Sequence, residues 1–449
     1  MKNSFLELCK IEKDYNLLDW KLNNIYVWQY LRAEIAHRIG TKNNSQNNTI
    51  KKTKPFYSKI KYLYYILKNS ILYNPFFAIK KYDRIVFLSS RKFKINDNYI
   101  DVYTQNMIND KSLVIDSSPS EIFNTKYKRN SIINIMMFIL RFFLKSDVKQ
   151  QDTKVIESIL NKTFNTDINL YSLFVKYIPT YKSFFIIYNL LFKYIKPKEI
   201  VIVASYGQAP LIMAAKQNGI KVIEMQHGII SKTHYGYSYP FNNSIACFPD
   251  YLYVFGEYFR HLEYVPIPSK KIKIYYNEIF KNNSIKYRNS KKEVNSLVII
   301  SDATVMDGKL QKFILANKNT LNQYTIYYKL HPQEIVNDQY KSNKLTQEIL
   351  KLNFIKVVSN EYSLYELLVK SKYVISPIST VIFEALELSC KIIIPKIGYW
   401  EDLESLKEYI LFVDFESKLD FKIIDKYFKN IIPVEKGYFI SSLKQEDTK

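Results

Sequence analysis

Short apolar runs alternate with longer segments of helical periodicity over most of the chain. Continuous apolar runs of this kind are typical of strands that are buried on both faces of a parallel sheet. The first half contains five of them, at residues 84–90, 112–116, 199–205, 221–224 and 251–255. The second half contains six, at residues 296–301, 325–330, 354–358, 372–376, 391–395 and 410–414. Strands and helices in this alternation predict two doubly wound α/β sheets.

The segments outside these runs predict helical additions and connections. Residues 1–40 have helical periodicity, and residues 41–54 form a polar low-complexity linker. A helical pattern from about 131 to 195 is expected to break at Pro179, because proline lacks the N–H that a helix interior needs. A basic, proline-containing stretch separates the two strand series. We therefore expect a first domain over 1–255, an interdomain connection over 256–294 and a second domain over 295–449.

The first strand series ends in residues that could carry chemistry. The strand at 221–224 runs into Gln226-His227-Gly228, and His234 and Gly236 follow. The chain has five histidines and nine glycines, so this concentration is unusual for a neutral loop. Imidazole is suited to proton transfer near neutral pH, and glycine lets the backbone approach a ligand closely. A turn glycine beside a buried, hydrogen-bonded histidine is the alternative, and His234 is a second candidate proton carrier.

Polar residues also follow three strands of the second series. Ser301 follows the first strand, His331-Pro332 follows the second, and Ser379-Thr380 precede a helical segment that contains Glu384. Ligands of doubly wound sheets bind beyond the carboxyl ends of the strands. Hydroxyl and N–H groups at a helix N-terminus bind anions, and a carboxylate one turn later accepts hydrogen bonds from ribose hydroxyls. The alternatives are a loop histidine and an ordinary helix cap with a solvated glutamate.

Taken together, three of these motifs resemble a known enzyme group. They are Gln226-His227-Gly228, His331-Pro332 and the segment from Ser379 to Leu386. In this order they are similar to bacterial GT-B glycosyltransferases of capsule and O-antigen synthesis, a group that includes capsule sialyl- and Kdo-transferases. They also resemble the CDP-glycerol glycerophosphotransferases of teichoic acid synthesis. The resemblance covers residues 198–400, about half of the chain.

The resemblance implies two Rossmann-like domains that face a cleft, with the acceptor on the first and the nucleotide donor on the second. It implies that the donor phosphate and ribose are held by His331, Pro332, Ser301, Ser379, Thr380 and Glu384. His227, with Gln226 beside it, would act in catalysis as a general base or as a donor to the leaving phosphate, and Gly228 would let the backbone approach the ligand. The family's sialyltransferases carry an acidic base triplet in the first domain, and this sequence lacks it, which argues against a sialic acid donor.

These features predict a glycosyltransferase that moves a sugar from a nucleotide-sugar to a growing surface polysaccharide or lipid-linked oligosaccharide. The alternative is a CDP-polyol phosphotransferase of teichoic-acid-like polymer synthesis. The sequence has no Asp-x-Asp pair, so we expect no metal and no cofactor besides the nucleotide-sugar co-substrate. The absence of GxGxxG after any strand disfavours a dehydrogenase, and the absence of HExxH spacing disfavours a metal hydrolase.

The charge of the chain suggests anionic partners. The 65 basic and 42 acidic residues give a net charge of +23. The positive charge is diffuse and the sequence shows no recognised nucleic-acid-binding module, so we expect no nucleic-acid partner.

Residues 51–82 contain eight lysines, nine aromatic residues and no acid, which is typical of a segment on an anionic membrane. A packed helix with solvated lysines is the alternative. Residues 132–144 are too short to span a bilayer and predict a buried or interfacial helix. With three dispersed cysteines, this composition predicts a cytoplasmic enzyme at the inner face of the bacterial cell membrane.

Overall fold

A computed structural model describes residues 2–41, 56–95, 98–116, 127–242, 244–287, 289–301, 308–335, 339–359 and 361–442. The chain divides into two compact units. Unit 1 comprises Met1–His227, Thr233–Val254 and Leu262–Lys273, and unit 2 comprises Gly228–Lys232, Phe255–His261 and Ile274–Lys449. A division by packing does not test where independently folding domains begin and end, so the boundaries 1–255, 256–294 and 295–449 stay a prediction.

The described part of the first unit is built on a seven-stranded sheet with an antiparallel pair inserted after its first strand. The strands up to the end of this sheet are β1 (Lys21–Leu22), β2 (Ile25–Tyr26), β3 (Arg84–Leu88), β4 (Lys92–Ile95), β5 (Asn98–Asp101), β6 (Ser112–Asp116), β7 (Lys128–Arg129), β8 (Glu199–Val203), β9 (Lys221–Met225), β10 (Tyr251–Val254) and β11 (Ile272–Ile274). The helices are α1 (Lys2–Asp14), α2 (Val27–Thr41), α3 (Phe56–Leu72), α4 (Ser131–Phe143), α5 (Gln150–Phe164), α6 (Leu170–Ile195) and α7 (Ala209–Gln217).

The order of strands in this first sheet is β11-β10-β9-β8-β3-β6-β7. The pairs from β10 to β7 are all parallel. The chain thus builds outward from β3 through β6 to β7, then returns to the other side of β3 and continues from β8. This return is the topological switch point of a doubly wound sheet, where the loops after the two neighbouring strands diverge and leave a crevice.

The described part of the second unit contains a six-stranded sheet in the order β14-β13-β12-β15-β16-β17, and every pair in it is parallel. Its strands are β12 (Glu293–Ile300), β13 (Thr325–Lys329), β14 (Ile355–Val358), β15 (Ser371–Ile375), β16 (Lys391–Pro395) and β17 (Leu411–Val413). Its helices are α8 (Glu278–Lys286), α9 (Lys309–Ala316), α10 (Lys318–Leu321), α11 (Pro332–Ile335), α12 (Gln339–Ser342), α13 (Lys344–Leu350), α14 (Leu364–Lys370), α15 (Val381–Glu387) and α16 (Phe421–Phe428). The switch point lies between β12 and β15.

The strand interiors form the two cores, as their apolar composition predicts. Ile85, Ile200 and Val222 are fully buried in the first sheet, and Leu297 and Tyr328 are fully buried in the second. The predicted fold class, two Rossmann-like doubly wound α/β units with N-terminal helical additions, is confirmed. The expectation that the units face a cleft stays a prediction.

The expected break of the 131–195 helical pattern at Pro179 is wrong. Helix α6 runs for 26 residues through Pro179. A proline inside a helix leaves the carbonyl four residues earlier without its N–H donor, and here that carbonyl belongs to Val175, whose side chain is exposed. Water can therefore satisfy it. The helical pattern is interrupted at other places, between α4 and α5 and between α5 and α6.

Within the described ranges, no helix combines the length and the apolar composition needed to cross a bilayer. The predicted linker at 41–54 and the start of the basic segment at 51–55 lie outside those ranges, except for Thr41, which ends α2.

Candidate active site

His227 lies two residues beyond the end of β9, and its ring is held between two tyrosine hydroxyls. Its Nε2 is 3.1 Å from the Tyr206 hydroxyl, and its Nδ1 is 3.3 Å from the Tyr237 hydroxyl. The backbone is fixed as well, since the Tyr103 hydroxyl donates to the His227 carbonyl at 3.0 Å. His227 is therefore positioned by tyrosines from three separate parts of the chain, all within unit 1.

Glu224 extends this arrangement into the core. It is fully buried in β9, and its Oε1 accepts hydrogen bonds from the Tyr237 hydroxyl and, at 3.0 Å, from the Ser205 N–H. Its Oε2 is buried and has no hydrogen-bond partner among the described residues. Burial raises the pKa of this carboxyl, and the hydrogen bonds from Ser205 and Tyr237 partly offset that increase.

The direction of these hydrogen bonds follows from the number of available protons. While Glu224 is ionised it can only accept, so Tyr237 must donate its single hydroxyl proton to Glu224. The Tyr237 oxygen can then only accept from His227, which requires the proton of a neutral imidazole to be on Nδ1. His227 Nε2 therefore presents its lone pair to the Tyr206 hydroxyl. A base whose tautomer is held in this way is ready to accept a proton at Nε2.

The protonation states fit this description. Burial, and secondarily the positive charge of Arg91, lower the pKa of His227 to about 4. The imidazole is thus neutral at physiological pH. Burial is also the main cause of the raised pKa of Tyr206 and of Tyr237, so both hydroxyls stay protonated. The imidazole is therefore in the unprotonated form that a general base needs before it accepts a proton.

His234, the second candidate proton carrier, has a different environment. Its Nδ1 accepts a hydrogen bond from the Gly236 N–H at 3.0 Å, and burial lowers its pKa to about 4. A backbone amide cannot rotate away as a hydroxyl can. The lone pair on His234 Nδ1 therefore stays in its hydrogen bond with the Gly236 N–H. Gly236 is required here, because a Cβ on it would come within 2.3 Å of the Tyr206 ring.

The loops that position these side chains are themselves tightly specified. Ala204, directly after β8, has a φ of +61°, a left-handed conformation that alanine rarely adopts. Buried Asp101 accepts hydrogen bonds from the backbone N–H groups of Ser89, Tyr103 and Thr104, which fixes the segment that carries the Tyr103 hydroxyl. Strained and over-determined backbone of this kind is common at functional sites.

A small pocket that opens to solvent lies beside this cluster in unit 1. Tyr206 lines it together with Gly207, Tyr235, Tyr239 and the buried Arg32. The Arg32 guanidinium donates to Glu12 and to the carbonyls of Tyr235 and Ser238, so its charge and its hydrogen bonds are used within the protein. The Arg32 side chain that lines the pocket is thus held in place, and aromatic side chains line it as well. Tyr206 belongs both to the pocket and to the His227 cluster.

Gln226 and Gly228 flank His227. The Gln226 side chain is buried. The backbone N–H of Gln226 donates to the Tyr253 carbonyl and so continues the hydrogen bonding between β9 and β10 one residue beyond the end of β9. A Cβ on Gly228 would meet open space, and its φ is not positive, so local packing does not demand glycine there. Their predicted roles, like that of His227, stay predictions.

In the second unit, Ser301 and His331 converge on one carboxylate at the ends of β12 and β13. The Ser301 hydroxyl donates to Glu334 Oε1 at 2.9 Å, and the backbone N–H of His331 donates to Glu334 Oε2 at 2.7 Å. Pro332 begins α11, the short helix that carries Glu334. Sequence reasoning missed Glu334, although a Glu three residues after a helix N-terminus is a recognisable capping signal.

The remaining predicted donor residues lie after β15, on the other side of the switch point. The Ser379 hydroxyl accepts from the Val381 N–H at 3.3 Å, whereas Thr380 is the N-cap of α15 without a side-chain capping bond. The Tyr365 hydroxyl donates to Glu384 Oε1 at 2.7 Å. The strands therefore bring Ser301, His331 and Ser379–Thr380 to one edge of the sheet, as predicted, while their binding roles stay predictions.

Among the described residues, no three His, Cys, Asp or Glu side chains form a group that could hold a metal ion. The loop at 302–307 lies outside those residues. The expectation that no metal is needed stays a prediction.

Comparison with known proteins gives only distant structural similarity. No protein-family model matches the chain, and no curated protein matches it. Among solved structures, a UDP-GlcNAc 2-epimerase from Neisseria meningitidis bound to UDP-GlcNAc is 12% identical, with a TM-score of 0.45 over 79% of this chain and 95% of that one. The UDP-GlcNAc 2-epimerase of Methanocaldococcus jannaschii in complex with UDP-GlcNAc and UDP is 13% identical, with a TM-score of 0.44 over 80% and 96%. The glycotransferase of kitacinnamycin is 7% identical, with a TM-score of 0.44 over 77% and 89%. Similarity at this level is too weak to support an argument about activity.

Proposed function

We propose that the protein is a nucleotide-sugar-dependent glycosyltransferase that extends a surface polysaccharide or a lipid-linked oligosaccharide of the capsule or O-antigen type. The observation that carries this proposal is the neutral His227, held by Tyr237 and Tyr206 at the carboxyl edge of a doubly wound sheet. Direct displacement of the nucleotide by an acceptor hydroxyl uses a base that is unprotonated at working pH, and a strand end is where substrates of such sheets bind.

In the proposed reaction, an acceptor hydroxyl takes the place of the Tyr206 hydroxyl at His227 Nε2. As the acceptor oxygen bonds to the anomeric carbon, its proton passes to Nε2. The bond from the anomeric carbon to the phosphate oxygen breaks, and its electron pair leaves with the nucleotide. Tyr237 and Glu224 keep the imidazole oriented and stabilise the imidazolium that forms, so they are positioning residues.

The donor nucleotide is assigned in this proposal to the second unit, with Ser301, His331, Pro332, Ser379, Thr380 and Glu384. Support comes from their position at the carboxyl ends of β12, β13 and β15 around the switch point, the place where α/β sheets of this order bind their ligands. Hydrogen bonds and cationic side chains can stabilise a leaving phosphate there. The proposal includes attachment to the inner face of the bacterial cell membrane, where a lipid-linked acceptor is available.

The proposal is tested first by a thermal-shift screen of the whole protein against UDP-, GDP-, CMP-, CDP- and dTDP-linked sugars, with CDP-glycerol as a competing donor. A donor at a hundredfold excess over its dissociation constant adds about 2.7 kcal/mol to the free energy of unfolding. The selected donor is then incubated with and without oligosaccharide acceptors, and nucleotide release is measured.

Acceptor-dependent release from a nucleotide-sugar is the expected result. Selective stabilisation and turnover with CDP-glycerol would instead favour the polyol phosphotransferase. Sugar isomerisation without any acceptor, or no response to any donor, would contradict the proposal.

A further inference from the structure

Helix α4 directs apolar side chains to both of its sides. Ile133 and Met137 are buried in the core of the first unit. On the opposite side, Phe138, Ile139, Phe142 and Phe143 are 58%, 54%, 68% and 78% exposed. Phe138 and Phe142, one turn apart, make an edge-to-face contact with ring centroids 5.0 Å apart. The sequence predicted a buried or interfacial helix over 132–144, and only one of the two faces is buried.

Helix α3 packs against α4 and has the same character. Three of its exposed apolar residues, Tyr64, Leu67 and Ile71, are spaced at three and four positions and so share one face of the helix, and Leu72 lies directly beside Ile71. These four residues are, in chain order, 65%, 51%, 68% and 55% exposed. Two packed helices that both expose apolar side chains are unusual on a protein surface, and such surfaces generally mark an interaction site.

The charged side chains described on these helices are cationic, and the first acid after α4 along the chain is the exposed Asp147, which lies 3.6 Å from Lys182. The sequence contains no Asp or Glu from residue 56 to 82 or from 127 to 146. Among the exposed side chains here are the cations Lys68, Lys81, Arg141 and Lys145. The Arg141 guanidinium lies 6.0 Å from the Phe138 ring centroid, so cationic and aromatic groups are adjacent on α4. A surface that is apolar in its middle and cationic around its edge is complementary to a lipid bilayer that has an apolar interior and anionic headgroups.

We propose that α3 and α4 form a membrane-docking surface that inserts Phe138, Ile139, Phe142 and Phe143 into an anionic lipid bilayer. The sequence pointed to residues 51–82 for this role and left 132–144 open as a buried or an interfacial helix, and the structure shows that α4 has one buried and one exposed apolar face. The lysines and Arg141 remain at the headgroups while their aliphatic stems cover apolar surface. The inference specifies the membrane association in the proposed function, yet it is independent of any transferase activity, because lipid binding can be measured without donor or acceptor.

The test is co-sedimentation of the full chain with vesicles of equal parts phosphatidylglycerol and phosphatidylcholine, compared with pure phosphatidylcholine, at low and high salt. The wild-type protein should bind the anionic vesicles and be released by salt. The double variant Phe142→Ser/Phe143→Ser should lose at least about tenfold in binding, since two aromatic side chains no longer leave water. Arg141→Gln/Lys145→Gln should lose about fivefold per cation, which corresponds to roughly 1 kcal/mol each.

Matched controls come from the second unit. Ile423 and Ile432 are also exposed apolar residues, so Ile423→Ser/Ile432→Ser should bind vesicles like the wild type. Lys422→Gln/Lys426→Gln, on exposed positions of α16, serves the same purpose for charge. Circular dichroism and thermal unfolding of every variant establish that the fold is retained.

Three outcomes would overturn the inference. The first is equal pelleting with neutral and anionic vesicles, and the second is wild-type binding by the Phe142→Ser/Phe143→Ser variant. The third is a dimer in solution that this variant converts to a monomer while vesicle binding is absent, since a second copy of the chain would then cover the surface.

Discussion

The side chain of His227 depends on its neighbours for every property that matters to catalysis. Tyr237 and Glu224 determine which nitrogen carries the proton, Tyr206 contacts the nitrogen with the free electron pair, and burial keeps the ring neutral. None of these effects belongs to histidine itself, whose ordinary pKa is near 6.5. The four residues therefore act as one unit, and removing any of them should affect the others.

His227→Ala should lower turnover by about 10² to 10⁴, because a general base acts mainly in the transition state. Donor affinity should change little. His234→Ala should have a smaller effect, since its Nδ1 is committed to the Gly236 N–H. Single-turnover kinetics on both variants, with the donor identified by the screen, measure this difference. Near wild-type turnover in His227→Ala would remove His227 from the mechanism.

Tyr237→Phe tests the positioning role. The variant keeps the ring but breaks the link between Glu224 and His227, so the imidazole loses its acceptor at Nδ1. We expect turnover to fall by about 10- to 100-fold, which corresponds to roughly 1.4 to 2.8 kcal/mol. The acidic limb of the pH–rate profile should also shift, and donor affinity should stay unchanged. Glu224→Gln should shift the same limb, whereas a loss of activity with an unchanged pH profile would indicate a merely structural role.

At the scale of elements, the strand ends of the second unit concentrate the predicted donor residues. His331→Ala and Thr380→Ala should weaken nucleotide binding by about 1.5 to 3 kcal/mol each while leaving the fold intact, because loop side chains contribute little to the core. Isothermal titration calorimetry with the selected donor measures this. His261→Ala is a matched control, since His261 is exposed and pairs only with Glu257 among the contacts described. Unchanged affinity in both test variants would refute the assignment.

The N-terminal helices are attached to the first unit by a buried ion pair. Arg32 on α2 pairs with Glu12 on α1 at 2.7 Å, Trp28 donates to the same carboxylate, and Arg32 also donates to the carbonyls of Tyr235 and Ser238. Arg32 thereby connects both helices to the segment that contains Gly236 and Tyr237.

Arg32→Met should therefore reduce the free energy of unfolding by about 3 to 5 kcal/mol, because it leaves the Glu12 carboxylate buried without its partner. Arg38→Met is the matched control. It removes an exposed pair with Glu34 on the same helix, and such a pair contributes only about 0 to 1 kcal/mol. Urea unfolding followed by tryptophan fluorescence compares the two variants. Equal losses would mean that the buried pair does not hold these helices in place.

For the whole molecule, two buried histidines of the first unit, His227 and His234, make stability depend on pH. Burial lowers the pKa of His227 and of His234 from 6.5 to about 4. Between pH 6.5 and 4 the unfolded chain therefore binds more protons than the folded chain, so the free energy of unfolding falls as the pH falls through this window. Each histidine contributes a slope of up to about 1.4 kcal/mol per pH unit. His234→Asn should flatten this dependence in urea unfolding measured between pH 7.5 and 4.5, and an unchanged slope would show that its burial has no energetic consequence.

The sequence by itself determined the strands, their class and the polar residues that follow the strand ends. The eleven predicted strands are all present, with ends that differ by up to three residues, because a buried parallel strand needs a continuous apolar run whatever its neighbours are. The polar residues directly after those runs could be named for the same reason, since they are local in sequence. The short strands β7 and β11 and the pairs β1–β2 and β4–β5 were missed because two to four residues carry too little pattern, and β1–β2 interrupts the segment 1–40 that was predicted to be helical.

Only the tertiary structure decided which distant residues meet. Tyr103, Tyr206 and Tyr237 lie 124, 21 and 10 residues from His227, and their contacts follow from the order of strands in the sheet and from the loops between them. Glu224 could have been suspected as an acid inside an apolar strand, but its link to His227 runs through Tyr237, which no local pattern indicates. The outward face of α4 is a similar case. Its sequence is apolar on both sides, so its periodicity could not show which face is covered, and only packing against α3 and α6 settles this.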